Sequence, residues 1–337
     1  MSIVLNSCTQ REGYVTLSGY AQGGTYSVKF NLRGVKEDVE VIKDSIDVLL
    51  RMIDNSLSGY NKNSLLSRFN EGEKIKPDSL FVDIYSRSVS IFDDTDGAVD
   101  VAAAPLYNIW GFGFKNGEFP SDELVNQTLA SCGMEGLVRD IEAVIDEEGM
   151  LSPCDMLAVP GGCLPALNYN AVAQGYSCDA VARYLYSLGV KDMMVNIGEI
   201  FCDGVNPSGL PWTIGIDRPI DGNNELGADI QGVFCVPTGP HGVVTSGNYR
   251  KFYIKDGKKY AHTIDPRVGY PVSHNLLSAT VVAHDATLAD AYATYCMVIG
   301  LEASKAFIES HYGLEACLVY DDNGEYRSWT SAGLTLK

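Results

Sequence analysis

Apolar and polar positions along this 337-residue chain follow two rhythms. Thr25-Tyr26-Ser27-Val28-Lys29-Phe30 alternates, which predicts a half-buried strand. Between 36 and 57, Val39, Ile42, Ile46, Leu49, Leu50 and Ile53 recur at helical spacing, with Asp and Glu in the first turn, predicting an amphipathic helix. A second helix is predicted over 78–92. Residues 97–119, rich in Gly, Ala and aromatics without a clear period, read as a structured loop. Ser121 suits the N-cap of a helix over 121–135, with strands following to about 160. Val172, Tyr176, Ala180, Val181, Tyr184, Leu185 and Leu188 mark a helix over 171–188, ended by Gly189. A short apolar strand follows at 193–197, and strands dominate 200–284. A helix runs from about 286 to 300 after Asp285, and a further helix and two strands close the chain. Residues 9–19, polar with Gly13 and Gly19, read as a tether. Neither a repeat nor a Pro/Ser-rich linker divides the rest, so the expected fold class is α/β in the mixed α+β sense: one composite domain over 20–337 behind a stub and tether at 1–19.

Charge narrows the function classes. The 25 Lys and Arg stand against 43 Asp and Glu, a net charge of −18. A chain this acidic, without a basic cluster, does not bind a nucleic-acid backbone through bulk electrostatics. It leaves open a local cationic site or a bound metal ion. No apolar run approaches the roughly 18 residues of a membrane span. The nine cysteines form no CxxC pair and no zinc-type cluster. Cys163, Cys178, Cys202, Cys235 and Cys296 are expected as small buried hydrophobes. Cys8 follows Ile3-Val4-Leu5-Asn6-Ser7, and Leu-x-Ser-Cys resembles the lipobox of bacterial lipoproteins, although the apolar run is short and no basic residues precede it. That reading implies a lipid anchor on the periplasmic side of the inner membrane. The alternative is a cysteine of no special role near a frayed terminus.

Several residues carry candidate chemistry. Asp290 and Thr294 are four apart on one helix and share a face, a carboxylate and a hydroxyl suited to a hard cation. Equally, Asp290 could serve the helix dipole and Thr294 packing. Gly175, near a helix start, could offer a free N–H to a phosphate or simply permit close packing. Tyr60 lies in the polar turn 58–64, and His262 before a Pro-containing turn, with Asp265 as a competing base. Trp110, Phe112 and Phe114 are expected in the core rather than against a cofactor. Ser246 lacks a GxSxG context, and neither a P-loop nor GxGxxG occurs.

Six segments, taken in order, resemble the ApbE family of flavin transferases. They are Ser58-Gly59-Tyr60-Asn61-Lys62-Asn63-Ser64; Gly97-Ala98-Val99-Asp100 leading to Pro105-Leu106 and Trp110-Gly111-Phe112-Gly113; and Ala171-Val172-Ala173-Gln174-Gly175 ending at Asp179. Then come Thr245-Ser246-Gly247-Asn248-Tyr249-Arg250, His262-Thr263-Ile264-Asp265-Pro266 with Gly269 and Pro271, and Ala289-Asp290-Ala291-Tyr292-Ala293-Thr294. The resemblance implies an ApbE-type fold and Mg²⁺-dependent transfer of FMN from FAD to a threonine of a target protein, with AMP released. It implies Mg²⁺ held by Asp290, Thr294 and the main chains of Ala171 and Ala293. It places FAD against Gly23, Tyr60, Ala98, Val99, Asp100, Asn168, Gln174, Asp179, His262 and Ile264, with Tyr60 on the isoalloxazine. His262 and Asp290 are the implied catalytic residues, His262 as base or, if Asp290 with the metal activates the hydroxyl, as an orienting group. Implied partners are flavin-carrying subunits of Na⁺-translocating NADH:quinone reductase or Rnf-type complexes. Three positions depart from the pattern: Gly23 replaces a Met, Asn168 an Asp and Gln174 a Lys. Two alternatives stay open, a Mg²⁺-dependent FAD pyrophosphatase giving FMN and AMP, and a flavin-binding protein without turnover.

Overall fold

The computed structural model describes residues 13–112, 119–158, 164–219, 229–248, 252–255 and 258–337. Cys8, Phe114, Cys163, Tyr249 and Arg250 lie outside them. The strands are β1 Tyr14–Ala21, β2 Gly24–Asn31, β3 Met193–Asn196, β4 Ile200–Asp203, β5 Thr213–Asp217, β6 Ile230–Cys235, β7 His241–Gly247, β8 Phe252–Lys255, β9 Lys258–Ala261, β10 Ile264–Asp265, β11 Tyr270–Pro271, β12 Leu276–Ala283, β13 Glu315–Asp322 and β14 Glu325–Thr330. The helices are α1 Val39–Leu57, α2 Leu65–Asn70, α3 Ser79–Asp94, α4 Ala104–Ile109, α5 Asp122–Leu129, α6 Ala173–Ser187, α7 Ala286–Ile299 and α8 Leu301–Ser310. Eight strands form one antiparallel sheet in the order β1-β2-β3-β4-β7-β12-β13-β14.

The two-residue alternation of the strands sorts the core into layers. On β12 and β13, Ala279, Val281, Ala316 and Leu318 face α7 and α8, whereas Val282, Cys317 and Val319 face the β5–β6 hairpin with its Trp212, Ile214 and Phe234. Helices thus cover one face and a hairpin the other. The largest core packs Ile42, Ile46, Leu50 and Ile53 of α1 against Val28 and Phe30 of β2 and Val195 of β3. Burying each such side chain contributes roughly 1.5–3 kcal/mol. Helix starts follow side-chain chemistry: Asp38, Asp78, Ser121 and Asp285 each accept a hydrogen bond from a first-turn amide.

Five expectations change. The supposed tether at 9–19 gives way to β1, which pairs with β2 from Tyr14↔Asn31 to Ala21↔Gly24. Val15, Leu17, Gly19 and Ala21 alternate with exposed Thr16, Ser18 and Tyr20, a period that the inward glycine and the outward tyrosine blur. The segment 97–119 contains α4, preceded by a single 3₁₀ turn at Val101–Ala103; small side chains buried on every side leave no amphipathic signal. The helix at 121–135 stops at Leu129, ahead of Gly133 at φ 112°. No strands fill the stretch to 160: Asp140 and Ser152 cap 3₁₀ turns, and only the isolated bridges Ile75↔Leu151 and Leu137↔Leu157 form among the described residues. Short α2, with only Leu66 and Phe69 buried, had no periodic signature. Cys178, Cys202 and Cys296 are buried as expected, whereas Cys235 is exposed.

Candidate functional site

Helix α7 carries the first cluster. Asp290 is 5% exposed and its Oδ2 accepts the Gly175 N–H at 3.0 Å. Its Oδ1 accepts no hydrogen bond from the described residues. Burial pushes its pKa up to about 7, the Gly175 amide partly offsets this and the charge of Asp179 adds to it. One turn on, Thr294 Oγ1 lies 3.4 Å from Ser246 Oγ of β7.

Gly175 has a further consequence. As the third residue of α6 it carries one of the N–H groups that a helix start leaves without an intrahelical partner, and Asp290 satisfies it. The Ala171 carbonyl, two residues before the helix, accepts no hydrogen bond from the described residues. A carboxylate oxygen, a hydroxyl and a carbonyl that accepts no hydrogen bond are hard oxygen donors of the kind Mg²⁺ takes. Ala293, inside α7, retains the second lone pair of its carbonyl. The donor set fits Mg²⁺. The described residues hold no group of three or more His, Cys, Asp or Glu that could hold a metal, so this oxygen set owes nothing to a carboxylate cluster.

The expectation of a free Gly175 amide for a phosphate is corrected by the same bond; the close-packing reading holds. A Cβ at Gly175 would stand 2.1 Å from the Ala286 carbonyl oxygen, and one at Gly242 2.3 Å from the Ala286 Cα, so Ala286 is lodged between two glycines. Asp179 is corrected likewise. Its Oδ1 accepts from Ala286 N at 2.8 Å and its Oδ2 from Thr287 N at 2.9 Å and from Thr287 Oγ1. Both oxygens are committed to the start of α7 rather than offered to FAD. Burial raises its pKa, and the nearby Asp285 adds to this.

The residues expected along FAD fall into two groups. Tyr60 is 67% exposed, and its hydroxyl accepts from Asn170 Nδ2 at 3.1 Å. Asn168 accepts the Asn170 N–H on Oδ1 at 2.9 Å and donates its own N–H to the Val101 carbonyl at 2.7 Å. One turn thus joins Tyr60, the 98–101 segment and Ala171. Gly23 (φ 79°) forms the tip of the β1–β2 hairpin with Gln22 (φ 52°), whose side chain donates to Ser177 Oγ on α6. Gln174 fills the space over Gly198. Ala98 and Val99 are buried (1% and 3% exposed), and Ile264 is fully buried with Trp110 and Val125. Asp100 caps the 3₁₀ turn: Oδ1 accepts from Ala102 N at 2.7 Å and Oδ2 from Met134 N at 3.0 Å, while burial pushes it up to about 6.

His262 is half-buried and sets its ring edge-to-face with Phe112 at 6.4 Å. The next residue, Thr263, donates to Asn248 Oδ1 at 2.7 Å, two residues beyond Ser246. Asp265, the competing base, is held by Arg267 through Nε at 2.9 Å and Nη2 at 2.8 Å. Trp110 is core, as expected: its Nε1 donates to the Gly269 carbonyl at 2.9 Å. Two open clefts, about 390 and 460 Å³, share the wall Cys132–Gly133–Glu135; the larger reaches Asp100 and Arg267. Sequence reasoning passed over Asn170, Ser177 and Gln22, whose polar links show only once the hairpin, α6 and the 58–64 turn meet.

Comparison with known proteins bears on this arrangement. The profile of the ApbE family matches residues 22–318. A protein of Escherichia coli (strain K12) named FAD:protein FMN transferase is 35% identical over 300 residues, covering 86% of this chain and 80% of that protein. One of the same name from Vibrio cholerae is 32% identical over 336 residues, 97% of this chain and 94% of that protein. The solved flavin transferase ApbE from Vibrio cholerae superposes with a TM-score of 0.76 at 31% identity, over 96% of this chain and 98% of that one. The Pseudomonas stutzeri flavinyl transferase ApbE, in its apo form, gives 0.79 at 29% identity, over 95% of each chain.

Proposed function

The chain belongs to the ApbE family, and on that premise we propose that it is an FAD:protein FMN transferase. FAD is the substrate, Mg²⁺ the resident ion and a threonine hydroxyl of another protein the acceptor. The hydroxyl oxygen bonds to the FMN phosphorus, the bond from that phosphorus to the AMP oxygen breaks, and AMP leaves. One observation carries the reading: an Asp290 oxygen and the Ala171 carbonyl accept no hydrogen bond among the described residues, and the Gly175–Asp290 bond ties their two segments together.

Asp290, Thr294 and the carbonyls of Ala171 and Ala293 would hold the ion. Bound there, Mg²⁺ supplies charge neutralisation at the pyrophosphate and the leaving group. His262 takes the hydroxyl proton as attack proceeds, its ring steadied by Phe112. Tyr60 offers the flavin an exposed aromatic face, oriented by Asn170. Flavin-carrying subunits of Na⁺-translocating NADH:quinone reductase or Rnf-type complexes are the proposed acceptors. A lipid anchor at Cys8 on the periplasmic face of the inner membrane is proposed from its Leu-x-Ser-Cys context; recovery wholly in the cytosol with Cys8 unmodified would sink it.

Incubation with FAD and Mg²⁺, with and without a threonine-bearing target peptide, tests the activity. Flavinylated peptide with one AMP per flavin is the expected result. Free FMN and AMP in both arms would make the chain a pyrophosphatase, and unchanged FAD a flavin binder.

A further inference from the structure

We propose that Asp179 is a positioning residue that fixes where α7 holds Asp290 and Thr294, and so sets the Mg²⁺ affinity of the site; this rests on the metal reading above. The geometry is reciprocal. Helix α6 receives α7 through Asp179, whose carboxylate takes the Ala286 and Thr287 amides and the Thr287 hydroxyl. One turn earlier, α6 gives the Gly175 amide to Asp290. The α7 start is therefore held by donors running one way and the α7 ligand by a donor running the other.

The remaining amide of the first turn is also accounted for. Leu288 N donates to Asp285 Oδ1 at 2.8 Å, so two carboxylates, one from each helix, satisfy the first three N–H groups of α7. The steric half of the joint is Ala286, pressed between Gly175 and Gly242. Sliding or rotating α7 would break the Asp179 hydrogen bonds and drive Ala286 into one of these two backbones. Asp290 lies one turn beyond Ala286 on the same rigid helix, so its position relative to the Ala171 carbonyl is inherited from this joint. Asp179 acts on the ion through the helix, without touching it.

The test is Mg²⁺ titration of the full chain by calorimetry, with kinetics at increasing Mg²⁺, comparing the unaltered protein with Asp179→Asn. The amide keeps the side chain's size but sets an NH₂ against an N–H donor. Partners in an outer shell typically govern about 10–100-fold in metal affinity, so Asp179→Asn is expected to weaken Mg²⁺ binding by at least about tenfold. Saturating Mg²⁺ should bring kcat back to within a few-fold. Thr287→Val removes one donor and should move affinity the same way by less; should Asp179→Asn fail to fold, this variant decides. A lowered Tm with unchanged Mg²⁺ affinity would make Asp179 a mere stabiliser and overturn the inference alone. Absence of Mg²⁺ binding by the unaltered chain would overturn both it and the functional reading beneath it.

Discussion

The amide of Gly175 and the carboxylate of Asp290 meet at 3.0 Å across 115 positions of sequence. This bond keeps a buried acid in place and satisfies an amide that the start of α6 leaves without a partner. It also makes the acid's charge state a matter of what else approaches it.

Proton and metal compete for Asp290. With burial holding the carboxyl at about 7, Mg²⁺ affinity should fall by about tenfold per pH unit below that value. In the metal-free protein the folded pKa exceeds the unfolded value of about 3.9, so stability should decline as pH rises from about 4 to about 7 and be restored there by Mg²⁺. Thermal melts across this range, with and without the ion, would show it. A pH-independent Mg²⁺ effect would refute the assignment.

Asp290→Ala should abolish Mg²⁺-dependent turnover while the protein stays folded, because removing a buried, singly hydrogen-bonded acid relieves a desolvation cost. Circular dichroism and turnover at several Mg²⁺ concentrations check both halves. Surviving magnesium dependence would mean the ion sits elsewhere.

Gly175→Ala should be severely destabilising, by about 1–3 kcal/mol or more, since the new Cβ would stand 2.1 Å from a backbone oxygen that cannot swing away. Denaturant midpoints would read this directly. A near-neutral result would show that α6 and α7 separate more easily than their packing implies.

Asn170→Ala removes the donor to the Tyr60 hydroxyl. An exposed neutral hydrogen bond contributes about 0.5–1.5 kcal/mol, so KM for FAD should rise about two- to tenfold with kcat retained. Tyr60→Phe, which keeps the ring, should match it; a kcat effect in either variant would place this pair in the chemical step.

His262→Ala should lower the rate by about 10²-fold or more while FAD affinity changes little. The acid limb of the pH profile, which a general base that must be unprotonated produces, should vanish with it. Lost FAD affinity with the rate kept at saturation would turn His262 into a binding residue.

Much of this site was legible in the sequence because its motifs are local. Asp290 and Thr294 sit one helical turn apart, and α6 and α7 showed their caps at Gly189 and Asp285. What local pattern cannot reveal is where a polar atom's capacity is spent. Gly175 reads as a free amide and Asp179 as a free carboxylate until α7 arrives to occupy both. The strand β1 was lost for a similar reason: half of an edge strand faces water, and its pairing partner alone declares it.

The order of the large sheet also bears on how the molecule is made. β2 joins the sheet through β3, and the Gln22 contact with Ser177 spans 155 positions. On a ribosome the leading hairpin can pack on α1 early, but its sheet edge waits until β3 has been synthesised. The α6–α7 joint closes later still, since α7 follows β12 in the chain. High contact order of this kind slows folding and lengthens exposure to aggregation. Catalytic competence is consequently a late event in biogenesis, and nascent chains arrested before α7 should be unable to capture magnesium.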